Sequence, residues 1–208
     1  MSAALELNGI SCVRGNRTLF DALNAAVQPG QLLRVQGANG AGKTSLLRMM
    51  CGLLAPAAGE VRWQGEPVAQ LREEFGRQLI YVGHAAALKD DLTGLENLLT
   101  ASALGGAAVQ SAQAADALAE AGLRGRESVP VRRLSQGQRR RVALARLALG
   151  AACGLWVLDE PFNALDTSAS AWLHGLITAQ LARGGVVVLT SHQSVMFSAA
   201  VHQVVVSL

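Results

Sequence analysis

Four short stretches of the 208-residue chain hold the residues whose types and spacing could do chemistry. The first is Gly37-Ala38-Asn39-Gly40-Ala41-Gly42-Lys43-Thr44-Ser45, set between an apolar strand-like run and a helix-like one. Its glycines let successive backbone N–H groups turn inward around an anion, and the following helix N-terminus adds partial positive charge. In that setting Lys43 can reach the β- and γ-phosphate oxygens of a nucleoside triphosphate. The Thr44 hydroxyl can ligate Mg²⁺, and Ser45 caps or supports the loop. A glycine-rich turn with an incidental Gly-Lys-Thr is the alternative, and the flanking strand and helix argue against it. The second stretch, Leu155-Trp156-Val157-Leu158-Asp159-Glu160-Pro161, is an apolar strand ending in two carboxylates. At the carboxyl end of a parallel strand, Asp159 can hold the Mg²⁺ shell through water, and Glu160 can orient and polarise an attacking water. Two solvated acids at a strand-to-turn junction are the plainer reading. The third is Leu134-Ser135-Gln136-Gly137-Gln138, followed by Arg139-Arg140-Arg141. Ser135 and Gln138 have capping-box spacing, and a Ser-capped helix start beside a glycine is also a good phosphate receptor. The fourth is His192, after a Val-rich run; a lone His at a strand end is often structural.

These groups need elements to bring them together. Strand patterns fall at residues 4–7, 18–20, 32–36, 60–63 and 79–82, and a helix at about 42–53 is broken by Pro56 and Gly59. From about 85 to 150 the chain is rich in Ala, Leu and Gln and poor in β-branched residues, so it reads as helical. Thr93-Gly94-Leu95-Glu96 opens one of these helices with a capping box. Strands at 155–158, 185–189 and 202–206 and a helix at 167–182 return the chain to alternation. The expectation is one α/β domain, residues 1–208, with a parallel-sheet core and a helical subdomain inserted at about 85–150.

Bulk properties exclude several classes. Half the residues are hydrophobic and 16% are charged, and mean hydropathy is +0.28. The longest apolar run, 147–158, falls short of the roughly 20 residues a membrane-spanning helix needs. The N-terminus carries no basic-then-apolar leader pattern. Three scattered cysteines, with no CxxC pair, read as reduced thiols. A net charge of +3 with only 4% aromatic residues and no matching motif argues against nucleic acid as a partner.

With Leu134–Gln138 added to the phosphate loop and the acidic strand end, the chain resembles the ABC ATPases, whose signature is LSGGQ. That resemblance implies a P-loop NTPase fold: an ABC-type nucleotide-binding domain with a mainly parallel sheet core, an antiparallel β part and a helical subdomain. It implies that Gly37 to Ser45 bind ATP with Mg²⁺, held by Thr44 and Asp159. It places Ser135, Gln136, Gly137 and Gln138 against the nucleotide of an opposite subunit, in an ATP-dependent dimer. Gln136 stands where the family has the first glycine of its pair. Asn163-Ala164-Leu165-Asp166 resembles the D-loop that crosses the dimer interface, although Asp166 could simply cap the next helix. Glu160 and His192 become the catalytic base and the γ-phosphate switch.

Two positions depart from the pattern. His84 occupies the place of the glutamine that senses metal and attacking water, bringing a titratable group there. Arg14 falls near the adenine platform, where the family usually has an aromatic ring; a guanidinium can stack on a base, and Phe20 is a weaker substitute.

Within the family, Tyr81-Val82-Gly83-His84, the Leu92–Leu98 segment, the basic helix and Ser191-His192-Gln193 are similar to the ATP-binding subunits of bacterial cytochrome c maturation. That implies an ATP hydrolase coupled to transport, acting in export or release of haem. It implies a small integral membrane partner, other haem-handling subunits, and a peripheral place on the cytoplasmic face of the inner membrane. Leu88, Leu92 and Leu95 could meet the membrane partner, or could be core. Another ABC transporter, or a soluble ABC ATPase as in iron–sulfur cluster assembly, is the rival reading.

Overall fold

The computed structural model describes residues 4–150, 152–191, 197 and 201–208. The central strands are short apolar runs because both of their faces are covered. They are β3 (Leu32–Gln36), β6 (Leu79–Val82), β7 (Leu155–Leu158), β8 (Val186–Thr190) and the edge strand β9 (Gln203–Ser207). Every neighbouring pair is parallel, and the order is β6-β7-β8-β3-β9. Side chains alternate between the faces with the strand period of two. Leu155, Val157, Val186, Val188, Leu33 and Val35 face one core, and Trp156, Leu158, Val187, Leu189 and Leu32 the other.

The first face is covered by α1 (Lys43–Met50), α2 (Val68–Gln78) and an antiparallel sheet of order β2-β1-β4-β5. In that sheet β1 (Leu5–Arg14) pairs with β2 (Arg17–Val27) and with β4 (Ala58–Trp63). A two-residue turn, Gln64 and Gly65, joins β4 to β5 (Glu66–Pro67) with φ of 52° and 87°. Positive φ at both turn residues matches the right-handed strand twist. The second face is covered by α5 (Gln136–Leu149) and α6 (Thr167–Ala182). A third core joins α3 (Gly94–Leu104), α4 (Ser111–Leu118) and the outer face of α5, through Leu98, Leu118, Leu123, Val131 and Val142. None of the described helices is long and apolar enough to cross a membrane.

Three local expectations change. β1 and β2 run to 10 and 11 residues, because exposed Asn8 and Asp21 on their outer face interrupt the apolar signal while pairing continues. The helix α2 was not anticipated: its apolar positions Val68, Leu71 and Phe75 keep helical spacing, but the residues between them are polar or charged. The first part of the segment from residue 85 is not helical. Asn97, 6% exposed, holds it in place: its Oδ1 accepts from Lys89 N at 2.8 Å, and its Nδ2 donates to Lys89 O at 3.0 Å and Thr93 O at 2.9 Å. The Thr93–Glu96 capping box then starts α3. Leu88 and Leu95 are partly buried against the lobe's core.

Candidate active site

The loop after β3 is shaped by close approach. Gly42 has φ 107°, and a Cβ there would lie 3.0 Å from the Phe20 ring and 3.2 Å from Leu19 Cβ. Only glycine lets β2 pack so near. Gly42 is also the N-cap of α1 and offers no side-chain hydrogen bond, so the helix's first N–H groups point into the loop without a side-chain cap. Lys43 Nζ donates to Gly37 O at 2.7 Å and Ala38 O at 3.1 Å, which holds the ammonium over the loop. Ala41 N donates to Ala38 O at 3.2 Å and tightens the turn.

Strand order brings this loop to the acid pair, since β7, β8 and β3 are neighbours and all end on the same side. Thr44 Oγ1 donates to Asp159 Oδ2 at 2.8 Å. Thr190, the last residue of β8, donates from Oγ1 to Asp159 Oδ1 at 2.8 Å and accepts from Glu160 N at 2.8 Å. Asp159 is 2% exposed and Glu160 7%. Glu160 has φ 50°, a left-handed conformation that costs energy for a residue with a Cβ and is often found at functional sites. From α5, Arg140 donates to Gly83 O at 2.8 Å, Asp159 O at 2.7 Å and Glu160 O at 2.9 Å. Burial pulls its guanidinium below the usual arginine value, and the Asp159 and Glu160 carboxylates oppose that shift.

Loop and acid pair enclose a cleft of about 510 Å³, lined by Asn39, Gly40, Lys43, Thr44, Ser45, Asp159 and Glu160, with Leu19, His84 and Asn163 at its walls. The size suits a nucleotide. A hydroxyl and a carboxylate held 2.8 Å apart suit Mg²⁺, which takes oxygen ligands and keeps waters and phosphate oxygens in its shell. Among the described residues no group of three or more His, Cys, Asp or Glu could hold a metal on its own. Thr44 and Asp159 would fill part of the shell of such a metal, leaving the rest to waters and phosphate oxygens.

Of the expected signature, D-loop, adenine and glutamine-position residues, only His84 and the D-loop's Asn163 border this cleft. His84 is exposed at its rim, after β6. Ser135 caps α5: Gln138 N donates to Ser135 Oγ at 3.2 Å, and Ser135 N donates to Gln138 Oε1 at 3.0 Å. Ser135 and Gln136 are exposed, and none of Ser135, Gln136, Gly137 or Gln138 lines the phosphate cleft of the same chain. A Cβ on Gly137 would sit 2.6 Å from Ala164 O, so the segment after Glu160 packs on the backbone there. Asp166 caps α6 by accepting from Ala169 N at 2.8 Å and Ser168 Oγ at 2.8 Å, and lies 3.9 Å from Arg141. Those hydrogen bonds hold its carboxyl below the usual range. Arg14 is exposed at the end of β1, opposite Arg17, and is not among the residues lining the cleft. Phe20 is buried under Gly42, which occupies its ring with packing. His192 lies outside the described residues. Thr190 and Arg140 were missed by sequence reasoning. A Thr ending an all-apolar strand was a usable signal; Arg140 was hidden within a basic run.

Comparison with known proteins shows the family of the chain. The family model for ABC transporters matches residues 20–163. The cytochrome c biogenesis ATP-binding export protein CcmA of Nitrosospira multiformis is 50% identical over 201 residues, covering 96% of each chain. That of Aromatoleum aromaticum is 53% identical over 189 residues, 91% of this chain and 88% of the other. An ABC transporter ATP-binding protein of Pyrococcus furiosus superposes with a TM-score of 0.80 at 23% identity, covering 97% of this chain and 96% of that one. A dimeric ATP-binding cassette in a post-hydrolysis state with ADP and Pi gives 0.80 at 23% identity, covering 91% and 88%. The two structures share the fold. The chain belongs to the ABC transporter ATP-binding family, among the cytochrome c biogenesis ATP-binding export proteins.

Proposed function

We propose that this ATP hydrolase works as a pair of chains closed over two Mg-ATP, on the cytoplasmic face of the bacterial inner membrane. Its partners there are a small integral membrane protein and other haem-handling subunits. Its output is export of haem, or its release toward periplasmic apocytochrome c. The observation that carries this reading is identity of about half, over nearly the whole of both chains, to cytochrome c biogenesis ATP-binding export proteins.

The chain's residues divide the work as follows. The loop N–H groups and Lys43 bind the β- and γ-phosphates. Thr44 and Asp159 would hold Mg²⁺, which when bound offsets negative charge on the phosphate oxygens. Glu160 takes a proton from, or orients, the water that attacks in line. Ser135 and Gly137 lie outside their own cleft, which fits a role against the nucleotide of the second chain. His84 at the rim stands in the glutamine's place as sensor of the metal side, and His192 as switch. Arg14 is assigned to the adenine. The segment 85–150 forms the subdomain that answers to the membrane partner.

In-gel staining of covalent haem tests this in cells whose sole copy carries Glu160→Gln. Loss of c-type cytochrome stain, with the variant expressed and membrane-associated, supports the assignment. A normal stain moves the chain to another transporter or to a soluble partner.

A further inference from the structure

Arg140 is 7% exposed, yet no carboxylate forms an ion pair with it among the described residues. A buried guanidinium is costly unless its donors are satisfied. Here Nη1 and Nη2 donate to three main-chain carbonyls, Gly83, Asp159 and Glu160, just past the ends of the paired strands β6 and β7, while the buried Nε has no partner among the described residues. The Glu160 peptide is thus gripped from both sides. Its N–H is tied to Thr190 Oγ1, and its carbonyl accepts from Arg140 Nη2 as well as from Asn163 N at 3.2 Å. Those ties hold a strained φ of 50° at a residue that lines the cleft. The strut comes from the second turn of α5, whose first turn carries Ser135 as cap and Gly137 against Ala164 O.

We propose that Arg140 is a positioning residue for hydrolysis. It sets the Glu160 peptide from the helix that begins at Ser135, so that displacement of this helix moves the carboxylate that directs water. The Gly83 contact extends the same hold to the segment leading to His84. The proposal rests on the reading of Glu160 as the group that directs water. An arginine suits this place because its planar fork reaches carbonyls after two neighbouring strands at once, which the single ammonium of a lysine does not reproduce.

The test uses the full chain with Arg140→Gln, Arg140→Lys, Glu160→Gln and the Arg140→Gln/Glu160→Gln pair. ATP turnover, KM and binding of a fluorescent ATP analogue are measured for each. Arg140→Gln should lower kcat roughly 10²-fold, the scale of a misplaced reacting group, with KM and analogue affinity near wild type. Arg140→Lys should fall between, since it keeps the charge and loses the fork; it also serves if the Gln variant does not fold. In the Glu160→Gln background the Arg140 change should add nothing further, because groups acting as a unit are not additive. Multiplying losses, a matching fall in nucleotide affinity, or normal kcat in Arg140→Gln beside an inactive Glu160→Gln would overturn the role of Arg140. Near-normal turnover in Glu160→Gln alone would instead overturn the reading of Glu160, and Arg140's role with it.

Discussion

One buried carboxylate, Asp159, has each oxygen bonded to a threonine: Oδ2 to Thr44 and Oδ1 to Thr190. Thr190 also receives the Glu160 N–H, so one hydroxyl sets both acids. Thr190→Val keeps the shape and removes this bridge, leaving a buried N–H and a carboxylate oxygen short of partners. We expect a loss of about 1–3 kcal/mol in denaturant unfolding, together with lower ATP turnover. Unchanged stability would mean that water replaces the hydroxyl. Glu160→Gln should keep ATP binding and lower turnover by roughly 10²–10⁴-fold, the usual range for losing a general base. Lys43→Ala should lose nucleotide binding itself, read by the same analogue titration. At this scale the phosphate loop and the acid pair were legible, because a motif fixes both residue type and spacing. Thr190 and Arg140 were not, since their meaning arises only where β7, β8 and α5 converge.

Elements were legible where composition is strongly biased and opaque where it is mixed. The all-buried strands β7 and β8 were evident from unbroken Leu, Val and Trp. The helix α2 was hidden because Gln70, Glu73 and Glu74 dilute its apolar face. Residues 88–93 read as helix by composition, but Asn97 offers their backbone competing hydrogen bonds, and the helix waits for Thr93. Caps also predict a pH response. Backbone and hydroxyl hydrogen bonds from Thr93 lower the Glu96 carboxyl, and those from Ala169 and Ser168 lower Asp166. A carboxyl lowered on folding stabilises the protein above its unfolded value, about 4, and that contribution fades as pH falls through the folded value. Tm should therefore drop on acidification below about pH 4, and the drop should be shallower in Glu96→Gln and Asp166→Asn. Parallel Tm–pH curves for variant and wild type would show that the caps carry no such linkage.

If two chains close over two nucleotides as proposed, each presents half of two sites. Its phosphate cleft lacks a contribution from its own Ser135 and Gly137, which stand exposed or packed on Ala164 instead. Ser135 has its Oγ engaged as a helix cap, and the α5 N-terminus above it still carries partial positive charge suited to a phosphate from outside. A second chain supplies that phosphate if the two pack head to tail. ATP then becomes part of the interface, and dimerisation depends on it. If Glu160→Gln slows turnover as expected above, its nucleotide stays intact, so this variant with Mg-ATP should elute from size exclusion as a dimer, and as a monomer without nucleotide. Adding Ser135→Arg should return it to monomer while leaving analogue binding intact, because the bulky side chain meets the opposite nucleotide and not its own. A dimer that persists with Ser135→Arg would place the interface elsewhere and remove Ser135 from the composite site. A monomer that has also lost analogue binding would mean that Ser135 serves its own cleft, against the geometry.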